Sequence, residues 1–93
     1  MAIRTFKCVD TAALFNLRRV PRFANIERPA LRKLKQLDLA KCIDDMRAPP
    51  ANRLEQLKGD RSGQWSVRVN DQFRVCFRWT GSEAEDVEIV DYH

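Results

Sequence analysis

The stretch QWSVRVNDQFRVCFRW, residues 64–79, decides the fold because it contains two alternating runs of apolar and polar side chains around a short polar loop. Such alternation is typical of strands that bury one face and expose the other. A three-residue loop at 70–72 brings Arg68 opposite Arg74 and keeps the apolar side chains together on the other face. A two-residue loop would mix charged and apolar side chains on both faces. The stretch therefore predicts an antiparallel hairpin with one apolar face.

The polar face of this hairpin carries three arginines, Arg68, Arg74 and Arg78. Two like charges directly opposite each other destabilise a sheet by up to about 1 kcal/mol. A bound anion would offset this repulsion, and so would ion pairs with Glu88 or another acidic residue of the last strand. The pattern leaves two interpretations: an open anion-binding surface, or a solvated face of surface ion pairs.

The charge distribution along the chain also favours an anionic partner. The chain has 17 basic and 13 acidic residues, a net charge of +4. Residues 81–93 contain five of the acidic residues and no Lys or Arg, so residues 1–80 carry 17 positive and 8 negative charges, a net charge of +9. A body this basic predicts binding to nucleic acid or to an acidic protein.

Outside the hairpin, the upstream half is mostly helical and one more strand follows downstream. We expect a strand at 3–7, a short helix from Asp10 or Thr11 to about Leu17, a helix from Ile26 that bends at 38–40, a stop at Pro49-Pro50, and strands at 54–58 and 86–92. The length predicts a single domain, 1–93. The predicted fold class is α+β, with an N-terminal strand and two to three helices packed on one face of a mainly antiparallel, twisted sheet of about four to five strands.

The cysteine and histidine content argues against metal and disulfide chemistry. Cys8, Cys42 and Cys76 are odd in number and widely spaced, with no histidine near them. We therefore expect neither a disulfide framework nor a zinc site, and we expect each cysteine to be a small buried apolar side chain. No apolar run approaches the roughly 18 residues that a membrane span needs, and the first residues lack a signal-peptide pattern. The sequence predicts a cytoplasmic protein with no metal, no cofactor and no membrane contact.

The only tyrosine and the only histidine are adjacent, at Tyr92 and His93. They could belong to a solvated tail or to a catalytic tip that the preceding strand holds in place. Metal-free cleavage of RNA needs a base for the 2′-hydroxyl, cations on the phosphate and an acid for the departing 5′-oxygen. Glu55, Arg74 and His93 could fill these three roles.

Two motifs give the sequence a family resemblance. The run LKGDRSGQWSVRVNDQFRVCFRW, residues 57–79, followed by VEIVDYH, residues 87–93, resembles the HigB toxins of the RelE superfamily, and the likeness extends to IRTFK at 3–7 and APPANRL at 48–54. The resemblance implies the small RelE-like α+β fold. It also implies a ribosome-dependent endoribonuclease that cuts mRNA in the A site of the 70S ribosome. A HigA-type helix-turn-helix antitoxin would hold it inactive, and operator DNA would be bound only through that antitoxin.

The resemblance also implies roles for individual residues. Lys58 would contact RNA or phosphate and Arg74 the scissile phosphate, with Arg68 and Arg78 as further phosphate-binding groups on the same face. Gln72 would lie near the A-site bases, and Asp91, Tyr92 and His93 would form the active-site tip. This sequence departs from the family at Glu55, where similar proteins have a histidine. A carboxylate can serve as the general base opposite a histidine acid, with an altered pH dependence of cleavage. The alternative is weak, slow or differently selective cleavage.

Two other functions remain open. The same small fold also hosts ParE-like toxins that poison DNA gyrase, because a fold does not determine the activity of its site. The chain could instead be a non-catalytic binding module that acts in autoregulation through its antitoxin. Retention of the DYH tip together with Lys58 favours the endoribonuclease, since a protein that only binds has no need of them.

Overall fold

A computed structural model describes residues 2–91. Two helices pack on one face of a four-stranded antiparallel sheet whose strand order follows the sequence. The helices are α1, Val9–Phe15, and α2, Glu27–Leu39; the strands are β1, Glu55–Gln56, β2, Gln64–Arg68, β3, Phe73–Trp79, and β4, Ala84–Asp91; short 3₁₀ turns occupy Pro21–Ile26, Ile43–Met46, Pro50–Asn52 and Gly59–Arg61. The predicted α+β class is therefore confirmed.

The β2–β3 hairpin has the predicted register, with Arg68 opposite Arg74. Its three-residue loop is fixed by the side chain of Asn70. The Asn70 Oδ1 atom accepts hydrogen bonds from the backbone N–H groups of Gln72 and Phe73, at 2.8 and 2.7 Å. Asparagine favours such turns because its short side chain imitates a backbone carbonyl.

The β4 strand contains a bulge that the alternation pattern did not reveal. Its register against β3 shifts so that Glu88 lies opposite Cys76 while Glu85 lies opposite Arg78. Asp86 supplies the extra residue, with a left-handed φ of 53°. The shift is needed because Ala84 and Val87 are three residues apart and are both fully buried, which strict alternation would not allow.

The segment predicted as a strand at 3–7 forms isolated bridges instead of a regular strand. Ile3 and Phe6 pair in parallel with Ala84 and Val87 of β4. The bulge explains the interruption, because the N–H of Asp86 turns to the Thr5 hydroxyl, at 2.9 Å, and not to a backbone carbonyl. The N-terminal segment nevertheless covers the outer edge of β4.

Other boundaries also differ from the expected ones. The first helix ends at Phe15, before Leu17, because the residues after it form a C-terminal cap. The expected strand at 54–58 shortens to Glu55–Gln56 because the chain turns away through Gly59, which has a φ of 66°. The change of direction expected at 38–40 is found, but the helix ends at Leu39 and does not continue beyond a bend, because Ala40 is extended and only the 3₁₀ turn Ile43–Met46 follows.

The core lies between the helices and the inner face of the sheet. Leu34 and Leu37 of α2 and Val67, Val75 and Phe77 of the sheet are fully buried. Full burial of such a side chain contributes about 1.5–3 kcal/mol. A further contact joins α1 to β4, where the Thr11 hydroxyl accepts the N–H of Ile89 at 3.0 Å. None of the helices in residues 2–91 is long and apolar enough to cross a membrane.

The expectation that every cysteine is buried was wrong. Only Cys76 is buried, whereas Cys8 is half-buried and Cys42 is exposed. Cys42 begins the 3₁₀ turn Ile43–Met46, where its thiol contacts the Asp45 carboxylate. A polar role at a turn thus replaces the expected apolar packing.

Candidate active site

The polar face of the sheet is centred on Cys76, which is fully buried although it faces away from the core. Burial raises the pKa of the Cys76 thiol. The positive charges of Arg61 and Arg74 oppose this increase in pKa, whereas the negative charges of Glu88 and Glu55 add to it. In the sheet register, Glu88 lies opposite Cys76 on one side, and Ser66 lies opposite it on the other, with Glu55 beyond Ser66. Ser66 is also fully buried. The face expected to be open is covered at its centre.

Arg61 provides part of this cover. The 3₁₀ turn Gly59–Arg61 folds back over the sheet, and the Arg61 Nη1 atom donates to Glu88 Oε1 at 2.9 Å and to Gln64 Oε1 at 3.1 Å. The Arg61 side chain is 33% exposed and that of Glu88 is 16% exposed. A charged pair that is partly shielded from water interacts more strongly than one on an open surface. The pair fixes the turn against β4 while part of the guanidinium remains accessible.

Glu55, Lys58 and Arg61 line one cavity of about 500 Å³, together with the intervening residues Gln56 and Leu57. Strand β1 supplies Glu55, and the turn at Gly59 carries Lys58 and Arg61 to the same side. A carboxylate and two cations in one cavity can accept a proton and stabilise an anion. The structure therefore brings two of the predicted site residues together with a third that the sequence did not indicate.

The three predicted arginines all have partners within residues 2–91. The Arg74 Nη2 atom donates to the backbone carbonyl of Arg53 at 2.8 Å. Arg68 forms an ion pair with Asp71 of the hairpin loop, and the Arg78 Nε atom lies 3.4 Å from Asp86 Oδ2. Glu88, expected as a partner for these arginines, is paired with Arg61 instead, because the fold-back of the turn brings Arg61 closer.

Gln72 and Asp91 meet at the far end of the hairpin. The Gln72 Nε2 atom donates to Asp91 Oδ2 at 3.1 Å. Asp91 lies opposite Phe73 in the ladder, whereas its neighbour Val90 lies opposite Arg74. Residues directly opposite each other share a face, so Asp91 is on the side of Phe73 and not on the arginine face. Tyr92 and His93 lie outside the described residues.

Arg61 is the site residue that sequence reasoning missed. The GDRSG segment, residues 59–63, predicts only a turn. Its composition does not indicate which side chain points back to the sheet. The sequence does contain one indication, since Arg61 follows Lys58 by three residues. One turn of 3₁₀ helix places residues with this spacing on the same side. Within residues 2–91, no three His, Cys, Asp or Glu side chains are close enough to hold a metal ion.

Comparisons with known proteins agree with this fold. A sequence model for the RelE-like toxin of the type II toxin–antitoxin system HigB matches residues 16–93. Toxin HigB-1 of Vibrio cholerae serotype O1 is 44% identical over 61 residues, which cover 66% of this chain and 64% of that protein. Endoribonuclease HigB of Proteus vulgaris is 33% identical over 61 residues, which cover 66% of this chain and 65% of that protein. The match thus spans less than two thirds of these relatives.

Two solved structures share the fold. The YoeB–YefM complex from Staphylococcus aureus superposes with a TM-score of 0.61 at 14% identity, covering 100% of this chain and 99% of that one. The YoeB/ParE toxin from Agrobacterium tumefaciens gives a TM-score of 0.53 at 21% identity, with the same coverage. The family match extends over most of the sequence and includes every strand of the sheet. The chain belongs to the HigB family of RelE-like toxins of type II toxin–antitoxin systems.

Proposed function

We propose that this protein is an endoribonuclease that cuts mRNA in the A site of the ribosome and so inhibits translation. The observation that carries the proposal is the cavity in which Glu55, Lys58 and Arg61 meet. A proton acceptor beside two cations supplies the base and the positive charge that cleavage of RNA without a metal requires, and the acid is the remaining group. The similarity to Endoribonuclease HigB of Proteus vulgaris supports the same reaction.

In the proposed reaction the Glu55 carboxylate takes the proton of a ribose 2′-hydroxyl. The 2′-oxygen attacks the adjacent phosphorus, and the bond to the 5′-oxygen of the next nucleotide breaks. Lys58 and Arg61 stabilise the negative charge that builds on the phosphate, as does Arg74. His93 donates a proton to the departing 5′-oxygen. The products are a 2′,3′-cyclic phosphate and a new 5′-hydroxyl end.

The ion pairs of Arg68 and Arg78 are compatible with phosphate binding. Asp71 is almost fully exposed, and Arg78 and Asp86 are each nearly half exposed. Exposed ion pairs contribute little stability, so RNA phosphates can replace these carboxylates at low cost. Gln72 and Asp91, at the end of the hairpin, would then contact the A-site nucleotides, and Tyr92 would complete the tip beside His93.

The proposed partners follow from the family. They are the 70S ribosome with its mRNA and a HigA-type helix-turn-helix antitoxin, through which alone the toxin would reach operator DNA. The proposed location is the cytoplasm, where these partners are found. No metal or cofactor takes part in the proposed reaction.

The test is to map the 5′ ends of mRNA on programmed ribosomes with and without the purified protein. We expect cuts within the A-site codon. Glu55→Gln should lower the cleavage rate by about 10²-fold or more, as expected for loss of a general base. Glu83→Gln is the matched control, because this carboxylate is partly exposed and precedes β4 away from the cavity, and it should cleave at the wild-type rate. Equal cleavage by the two variants would remove Glu55 from the mechanism.

The tip and the arginine face are tested in the same assay. Deletion of the DYH tip, 91–93, should abolish cleavage and growth arrest while antitoxin binding is retained, and Arg74→Ala should also reduce toxicity strongly. Full toxicity of Arg74→Ala would favour a binding role over catalysis. If induction of the wild-type protein stops DNA replication before protein synthesis, the toxin acts on gyrase and the proposed reaction is wrong.

A further inference from the structure

Leu17 adopts a backbone conformation that its side chain disfavours. The end of α1 is closed by hydrogen bonds from Leu17 N–H to the Leu14 carbonyl and from Arg18 N–H to the Ala13 carbonyl, both at 2.9 Å. This pattern is a Schellman motif, and Leu17 occupies its left-handed position with a φ of 64°. Glycine normally fills that position because a Cβ atom crowds the neighbouring carbonyl.

Packing within the protein does not explain why a leucine is there. The Leu17 side chain is 72% exposed, so it contributes little to the core. Leu39, the last residue of α2, is 79% exposed. A large apolar side chain that is both strained and exposed suggests a contact outside the chain, because strained conformations tend to occur at functional sites.

The two leucines lie on one apolar depression. Leu17, Leu39 and Phe15 are the apolar residues that line a cavity of about 260 Å³. The polar residues that line it are Lys35 and Asp38. A second cavity, of about 390 Å³, shares Asp38 and Leu39 with the first. It continues past Ala2, Ala40, Lys41 and Ser82. We call the combined depression the helix-end groove, since it runs from the end of α1 past the end of α2.

The charged residues that line the groove are two lysines, Lys35 and Lys41, and one carboxylate, Asp38. Two arginines, Arg18 and Arg19, directly follow Leu17. Charge complementarity therefore favours an acidic partner. The apolar floor favours a polypeptide over RNA, because leucine side chains offer nothing to phosphate and are suited to the apolar face of an amphipathic segment.

We propose that the helix-end groove docks an acidic, amphipathic segment of the antitoxin, with Leu17 and Leu39 as its main apolar contacts. The inference rests on the proposed antitoxin partner and specifies which surface that partner uses. In the complex, Leu17 and Leu39 become buried against the apolar side of the segment. Acidic side chains of the segment then face Lys35 and the arginines that follow α1.

Leu17→Gly separates the binding role of Leu17 from a structural one. Glycine fits the left-handed position better than leucine does, so the melting temperature should stay the same or rise. The affinity for antitoxin that has been expressed and purified without the toxin should fall about 10-fold or more, measured by titration calorimetry. Leu39→Ser should weaken binding similarly, and the double variant by about 100-fold.

Val9→Ser is the matched control, since Val9 is 84% exposed but lies at the opposite end of α1. It should bind antitoxin within about twofold of wild type, because surface changes outside an interface have small effects. Wild-type affinity in both leucine variants would overturn the assignment of this surface while leaving the antitoxin as partner. Absence of binding by the wild-type protein would overturn the proposed partner itself.

A third outcome would identify an RNA-binding surface. If the leucine variants bind antitoxin normally but bind or cleave programmed ribosomes less well, the groove serves the ribosome and the proposal is wrong. We expect the opposite pattern, in which the leucine variants bind antitoxin more weakly. In the absence of antitoxin, their ribosome-dependent cleavage should proceed at the wild-type rate. Growth arrest during coexpression with antitoxin should reappear, because the variants escape inhibition.

Discussion

Asn52→Ala should destabilise the protein more than its size suggests. Asn52 is fully buried in the turn that leads into β1. Its Nδ2 atom donates to the Met46 carbonyl and to Gln36 Oε1, both at 3.1 Å, and to the Ala48 carbonyl at 3.2 Å. Its Oδ1 atom accepts from the Lys33 ammonium. The side chain therefore ties α2 to the segment that precedes the active-site cavity.

The magnitude follows from the groups that would lose their partner. The Ala48 carbonyl keeps a second donor, Gln36 Nε2 at 2.6 Å, whereas the Met46 carbonyl is left in the interior without the Asn52 amide. A buried acceptor without a donor costs about 1–3 kcal/mol. The void left by the side chain adds to this, so we expect a loss of about 2–4 kcal/mol in the free energy of unfolding. For a domain of this size, that loss lowers the melting temperature by roughly 10–30 °C.

The assay is chemical and thermal denaturation of the wild type and two variants. Asn16→Ala is the matched control, because the Asn16 amide also donates to a backbone carbonyl, that of Ala12 at 2.9 Å, but on the surface. It should lose no more than about 0.5 kcal/mol. If Asn52→Ala is no less stable than Asn16→Ala, buried hydrogen bonding does not hold this turn. Because Arg53 follows directly and its carbonyl receives Arg74, we also expect reduced cleavage by Asn52→Ala at temperatures where it is folded.

Three further predictions concern charge, pH and thiol reactivity. Arg61→Ala should lower the free energy of unfolding by about 1–2 kcal/mol, because it removes a charged donor from the shielded Glu88. Arg47→Ala is the control, because it breaks the exposed ion pair with Asp44. In the same denaturation assay it should lower the free energy of unfolding by less than about 0.5 kcal/mol. The N–H groups of Lys41 and Cys42 lower the pKa of Asp45, so its carboxylate stabilises the folded state above its ordinary pKa and this stabilisation is lost as the pH falls through the lowered value. The stability difference between wild type and Asp45→Ala should therefore shrink between about pH 5 and pH 2, and a constant difference would contradict this. A thiol reagent should modify exposed Cys42 and half-buried Cys8 in the folded protein but reach Cys76 only after unfolding, since burial both shields that thiol and raises its pKa.

The hairpin could be predicted to the residue because two independent constraints agree. The alternating pattern allows only an odd loop, and Asn70 supplies the side chain that such a loop needs. The bulge at Asp86 was not predicted, although the spacing of three between the buried residues Ala84 and Val87 contains the signal. Simple alternation favours a regular strand, so one inserted residue is easily overlooked.

The site was only partly predictable, because its geometry depends on loops. Lys58 and Glu55 are close enough in sequence for a shared cavity to be expected, but Arg61 reaches the cavity through the left-handed turn at Gly59. The choice of ion-pair partners also depends on distances between loops and strands, which local sequence does not encode. Glu88 therefore pairs with Arg61, although the sequence suggested the hairpin arginines.

The bridges between the two ends of the described residues constrain when the sheet can be completed. Arg4 N–H donates to the Ala84 carbonyl and Val87 N–H to the Thr5 carbonyl, so two segments that are about 80 positions apart in the chain pair with each other. Contacts between such distant positions form late in folding. During translation, the sheet cannot be completed until residues 84–87 have left the exit tunnel, and Glu88, which holds Arg61 in place, emerges with them. A chain whose residues 84–88 are still inside the exit tunnel therefore lacks both the complete sheet and the carboxylate that positions Arg61.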